Sequence, residues 1–284
     1  MKEFLKYTFA TVCGLILTGV VFTILGIISL AGIVASSSGT ETVVKDRSVF
    51  VLELKGSVVE RYQDNPLMQF LGEDYTSYGL DGILASIRKA KENDKIKGIY
   101  IDAGAFDCQT ASMQAIRNAL VDFKESGKFI VAYAGSYSQG TYYIASVADK
   151  VIANPSGSIG WHGLAAQTMF LKGLLDKVGV EMQVFRVGTY KSAVEPYIAT
   201  EMSPANREQT QAFIGSIWQQ ILNDVSESRK ISVDSLNALA SRNMDFQPAE
   251  LYISTGLADT LMYKDEVLAY LKQLTDCKGD DKLN

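Results

Sequence analysis

The segment Leu80–Gly104, LDGILASIRKAKENDKIKGIYIDAG, sets two chain periodicities side by side. Leu80, Ile83, Leu84 and Ile87 recur at the spacing of one helix face, with small and charged residues filling the rest. After Asn93 and Asp94 the pattern gives way to a short apolar run, Ile96–Ile101. Such a run suits a strand buried on both faces, as parallel strands are. The pair recurs downstream. SMQAIRNALVDFKESGKFIVAYAGS predicts an amphipathic helix and then a strand at Phe129–Ala134. QGTYYIASVADKVIANP predicts a further helix and strand, and MFLKGLLDKVGVEMQVFRVG one more pair. Upstream, SVFVLELKGSVVE alternates and is rich in β-branched residues, which predicts one or two strands. Helices alternating with short apolar strands imply right-handed βαβ units and a parallel sheet, hence an α/β domain.

The last third reads as more helical. SPANREQTQAFIGSIWQQILNDVSESRKI begins with Ser203 as cap, Pro204 at the first helical position and Glu208 nearby. PAELYISTGLADTLMYKDEVLAYLKQL predicts two short helices around a GLAD turn. The closing TDCKGDDKLN is polar, as a linker is.

No charged residue occurs from Tyr7 to Thr40. As a helix, Phe9–Ala35 would measure about 40 Å, enough to cross a hydrocarbon core of about 30 Å. A cleavable signal peptide is the alternative, but its apolar core is usually about 7–15 residues long. A retained anchor is therefore expected. Lys2 and Lys6 before the span favour a cytoplasmic N-terminus and a body on the other side. SSSGTETVVKD then serves as a polar tether.

The net charge of −5, with no basic patch, argues against nucleic acid as a partner. His162 is the single histidine, and the three cysteines, Cys13, Cys108 and Cys277, are scattered. Metal-ligand spacing is lacking, and no phosphate-cradling motif occurs, so neither a metal nor a cofactor is expected. Nothing local supports a Cys108–Cys277 disulfide. His162 lies in the glycine-rich GSIGWHG and reads as a loop histidine rather than a triad member. AGSYSQGTYY occupies the place of a nucleophile elbow, but Ser136 stands where its first glycine should be, so Ser138 is a near miss.

A lysine base is then the remaining route to an activated serine. Lys191, in VFRVGTYKSAVEPY, follows an apolar run and is flanked by Tyr190, Ala193 and Val194. A lysine of ordinary pKa, about 10.4, accepts a proton at neutral pH only if burial or a cationic neighbour brings it down toward ~7–8. Read from these residues alone, Lys191 is either such a base or a solvated loop charge.

YSQGTYYIAS, LKGLLDKVGVE, FRVGTYKSAVEPY and MSPANRE followed by IW together resemble the N-terminal half of the long-form signal peptide peptidase A (protease IV) family. The resemblance runs from about Ser48 to Leu261 and includes the anchor. It implies a Clp protease/crotonase-like spiral of ββα units carrying an N-terminal transmembrane helix. It implies a bacterial membrane serine peptidase acting on cleaved signal peptides, with a Ser-Lys dyad and an oligomeric assembly. By the GTYKSAVEP motif the general base falls on Lys191. The family's serine lies in a second half, in an SGGYY-like sequence. Here Gln139 holds that place if Tyr142 and Tyr143 match the tyrosine pair, so no nucleophile is assigned within this chain.

The expected organisation is therefore a cytoplasmic segment at residues 1–8, an anchor at 9–35 and a tether at 36–47. A peptidase half follows at 48–272, and a linker at 273–284 toward a second half. Peptide substrates, membrane lipid and a homo-oligomer with a second half are the expected partners. The expected location is the bacterial inner membrane, with the catalytic body on the extracytoplasmic side. A non-catalytic membrane scaffold is the main alternative, and a crotonase-like acyl-CoA enzyme a lesser one.

Overall fold

The computed structural model describes residues 1–37, 44–62 and 77–276. Half of the tether at 36–47 and most of the linker at 273–284 therefore lie outside the described residues, as does Cys277. The chain forms two compact units, residues 1–44 and 45–284.

The first unit is a single helix, α1 (Lys2–Ser37). Its stretch Lys2–Ser29 contains an 18-residue window with a mean hydropathy of 2.4 and is long and apolar enough to cross a membrane.

The second unit is built on a six-stranded sheet in which every pairing is parallel, in the order β2-β1-β3-β4-β5-β6. The strands are β1 (Ser48–Val59), β2 (Ser77–Gly79), β3 (Ile96–Asp107), β4 (Phe129–Ala134), β5 (Lys150–Ala153) and β6 (Thr260–Leu261). SVFVLELKGSVV forms one strand rather than two, with a register shift between Leu54 and Gly56. β3 runs six residues beyond the predicted Ile101 because β1 pairs alongside it as far as Asp107. β4 occupies the predicted Phe129–Ala134.

The expected helices α2 (Leu80–Glu92), α3 (Thr110–Lys124) and α4 (Gln139–Ala145) link these strands. α2 packs on β1 and β3, α3 lies between α2 and α4, and α4 also reaches β3. Residues on alternate sides of the sheet, such as Ile99, Ile101, Ile130 and Ala132 against Tyr100, Val131 and Tyr133, are all buried. Burial on both faces is what made these strands read as unbroken apolar runs.

After β5 come α5 (Lys172–Lys177), the single turn α6 (Glu195–Ile198), α7 (Pro204–Arg229) and α8 (Val233–Ala240). A 3₁₀ turn (Met244–Phe246), α9 (Ala249–Ser254) and α10 (Lys264–Leu274) complete the unit. α9 and α10 flank the GLAD turn as predicted. Val267 and Leu271 of α10 pack on Val49, Tyr100, Val131, Tyr133 and Ile152, closing one face of the sheet.

One expected pair is only half present. α5 forms, but the strand anticipated before Gly188 does not: residues 180–187 carry no regular secondary structure and pair with no strand among the described residues. Phe185 and Val187 are 96% and 90% exposed. Apolar alternation is a local property, whereas a strand needs a neighbouring edge, and β6 already occupies the one beyond β5.

Candidate active site

Gly188 adopts φ +102°, a conformation that disfavours any other residue, and turns the chain after the apolar run. Lys191 N–H then donates to Gly188 O at 3.4 Å, and Ser192 N–H to Tyr190 O at 3.1 Å. From before the turn, Arg186 Nη1 donates to the Lys191 carbonyl at 3.0 Å. The lysine backbone is thus held from both sides.

Beyond it, Glu195 N–H donates to Ser192 O at 2.9 Å and starts α6, with Pro196 in its first turn. Glu195 itself is buried. Its carboxylate accepts from Ser203 Oγ at 2.6 Å, Ser203 N–H at 3.2 Å and Asn206 Nδ2 at 2.9 Å, with Arg186 Nη1 3.7 Å away. Ser203 is also the cap of α7 foreseen from SPANRE, accepting from Asn206 N–H at 3.2 Å. One hydroxyl therefore starts the long helix and anchors the lysine turn. These bonds, the Ser203 hydroxyl foremost, hold the Glu195 carboxyl below the usual carboxylate range.

Tyr190 Oη donates to Glu208 Oε2 at 3.3 Å, a second tie to α7. The turn lines an open groove of about 590 Å³ with Phe185, Val187, Tyr190, Lys191, Ser192 and Gln209 among its walls. Lys191 is exposed in it.

The structure does not bring Ser138 into this groove. Ser138 caps α4: its hydroxyl accepts from Thr141 N–H at 3.2 Å and lies 3.0 Å from Thr141 Oγ1. Ser192 is the groove's own serine, adjacent to Lys191 in the chain. Gln139, in the expected nucleophile place, bonds instead to the backbone of His162 and Gly163. Reading the sequence alone missed Glu195 and this Gln139 contact. An acidic residue before a proline at a helix start is a faint signal for the first, but Ser203 and Asn206 are eight and eleven residues away.

Residues 112–278 match peptidase family S49. The chain belongs to peptidase family S49. Among S49 relatives, Protease 4 of Salmonella typhi is 40% identical over 199 residues, covering 67% of this chain and 32% of that protein. Protease 4 of Haemophilus influenzae is 34% identical over 249 residues, covering 83% and 40%. A chloroplastic serine protease SPPA of Arabidopsis thaliana is 29% identical over 241 residues, covering 84% and 34%. The chain thus spans about a third of the length of these curated relatives. The parallel sheet with flanking helices is the α/β, Clp protease/crotonase-like fold expected of an S49 member.

Proposed function

We propose that this chain is the lysine-bearing half of a membrane-anchored serine endopeptidase with a Ser-Lys dyad, acting on cleaved signal peptides. In this reading residues 9–35 anchor it in the bacterial inner membrane, and residues 48–272 form the peptidase half on the extracytoplasmic side. Lys191 is the general base. The nucleophilic serine comes from a second peptidase half outside these residues, within an oligomer. Neutral Lys191 takes the proton from that serine as the acyl-enzyme forms, then returns it to the leaving amine.

The observation that carries this reading is the build of the Lys191 turn. Its backbone is fixed by Arg186 and by the buried Glu195–Ser203–Asn206 cluster, while its side chain stands in an open groove walled by Phe185, Val187 and Tyr190. A lysine base is neutral near pH 7 only where burial or a cationic neighbour lowers its pKa. An uncovered apolar wall beside an exposed amine is completed for that purpose by a second surface. The chain alone is then a very poor peptidase.

The test is Lys191→Ala in the complete assembly with its serine-bearing half. Hydrolysis of a signal peptide should fall by at least about 10²-fold, the low end for losing a general base, with thermal stability unchanged. A fluorophosphonate probe should label the partner half and leave this chain unlabelled. Near-normal hydrolysis by the variant, or labelling at Ser138, would overturn the assignment.

A further inference from the structure

Gln139 makes a contact that the proposed dyad does not use. It opens α4, and its carboxamide reaches across to the loop after β5. Oε1 accepts from His162 N–H at 3.0 Å and from Gly163 N–H at 2.9 Å. Nε2 donates to the Gly163 carbonyl at 3.0 Å. Two successive backbone N–H groups aimed at one oxygen form a nest for an anion or a polarised carbonyl. The added bond to Gly163 O completes the donor-and-acceptor pair that a neighbouring extended peptide would present.

The nest is preorganised. Gly163 has φ +84°, and the loop before it is tied to the start of α4 by Gly160 N–H donating to Tyr137 O at 2.7 Å. A cleft of about 430 Å³ adjoins it, lined by His162, Gly163, Leu164, Ile214 and Trp218 among others. The Trp218 ring is held by Nε1 donating to Asn237 Oδ1 at 2.9 Å and by Trp161, 5.1 Å away between centroids. A polar pair with an adjacent apolar wall is the make-up of a small-ligand site.

We propose that the His162–Gly163 N–H pair is a binding site for the carbonyl or carboxylate oxygen of an apolar acyl-amino acid or peptide, and that Gln139 is its built-in plug. With the carboxamide in place the site is closed. When the side chain turns away through its own rotamers, the ligand oxygen takes the position of Oε1 and its apolar side chain lies against Leu164 and Trp218. The site shares no residue with the Lys191 groove.

The test uses the full chain in detergent, with N-acetyl-leucinate as probe. Amide exchange over residues 160–165 and tryptophan fluorescence are the readouts. In Gln139→Ala, the His162 and Gly163 amides should exchange about tenfold faster, and the probe should bind about tenfold more tightly than to wild type, a difference of about 1.4 kcal/mol, restoring their protection. Equal exchange in wild type and Gln139→Ala would overturn the proposal. So would equal probe binding by the two. Should Gln139→Ala fail to fold, Gln139→Met keeps the length and loses the bonds: faster exchange and tighter binding support the plug, and unchanged values overturn it.

Discussion

Only 3% of Glu195 is exposed, and the partners that satisfy its charge come from the segment before the lysine turn and from the start of α7. Replacing it by alanine leaves the Ser203 hydroxyl and the Asn206 amide without their acceptor. Hydrogen bonds to charged groups contribute ~1.5–3 kcal/mol each, and part of that loss is recovered by relaxation. A net cost of about 2 kcal/mol predicts a melting temperature roughly 4–8 °C lower for a domain of this size, measurable by differential scanning fluorimetry. The pH dependence has a definite sign. Because the folded carboxyl is held below its usual range, its contribution is complete above the unfolded value of about 4.3. It is lost as pH falls through the folded value. The stability gap between wild type and Glu195→Gln should therefore be constant from neutral pH to about 5 and shrink below about 4. A gap independent of pH would show that the ionised carboxylate is not what holds the turn. The role proposed for Lys191 rests on its sequence motif. The Glu195 cluster and the Gln139 contact were not legible in the sequence, because their partners lie on other elements, the latter 24 residues along the chain.

At the scale of elements, the sequence was most legible where local pattern and tertiary demand coincide. α2, β4 and the Ser203–Pro204 start of α7 follow directly from periodicity and capping. The failed strand before Gly188 shows the opposite case, since no local signal reports whether an edge is free. In the proposed assembly that uncovered run faces another surface, which yields a prediction. Phe185→Asp combined with Val187→Asp should leave the isolated chain as stable as wild type, since exposed positions change stability by about 0.5 kcal/mol or less. It should weaken association with the second half in sedimentation velocity. A destabilised monomer with intact assembly would reject the role. The approach of the two loops after β4 and β5 offers a further check. A Cβ at Gly157 would lie 1.8 Å from the Gly135 carbonyl oxygen, a backbone atom that cannot step aside. Gly157→Ala should cost about 3 kcal/mol, the upper range for overpacking, seen as a lowered urea midpoint.

For the whole molecule, the decisive question is how two units of opposite character divide the work. Every buried residue of the α/β core belongs to the second unit, from Ser48 onward, whereas the described side chains of α1 are exposed along its length. Phe4, Phe9, Leu15, Leu17 and Phe22 are each more than two-thirds exposed. Aliphatic and aromatic surface on that scale, at ~25 cal/mol per Å², is strongly unfavourable in water and favourable in hydrocarbon. The helix length and its charge-free interior match a bilayer span. Deleting residues 1–44 should therefore move the protein from the carbonate-washed membrane pellet to the supernatant. The melting temperature of the remaining body should change by no more than about 2 °C, since the buried core residues lie in the second unit. If the assembly draws its dehydration of Lys191 from the second half and not from the bilayer, the truncated form joined to that half should still cleave a soluble signal peptide. It should lose its advantage only on substrates embedded in vesicles, where the anchor raises the effective concentration. Loss of soluble-peptide cleavage on truncation, with the body still folded, would instead place the membrane span within the catalytic assembly.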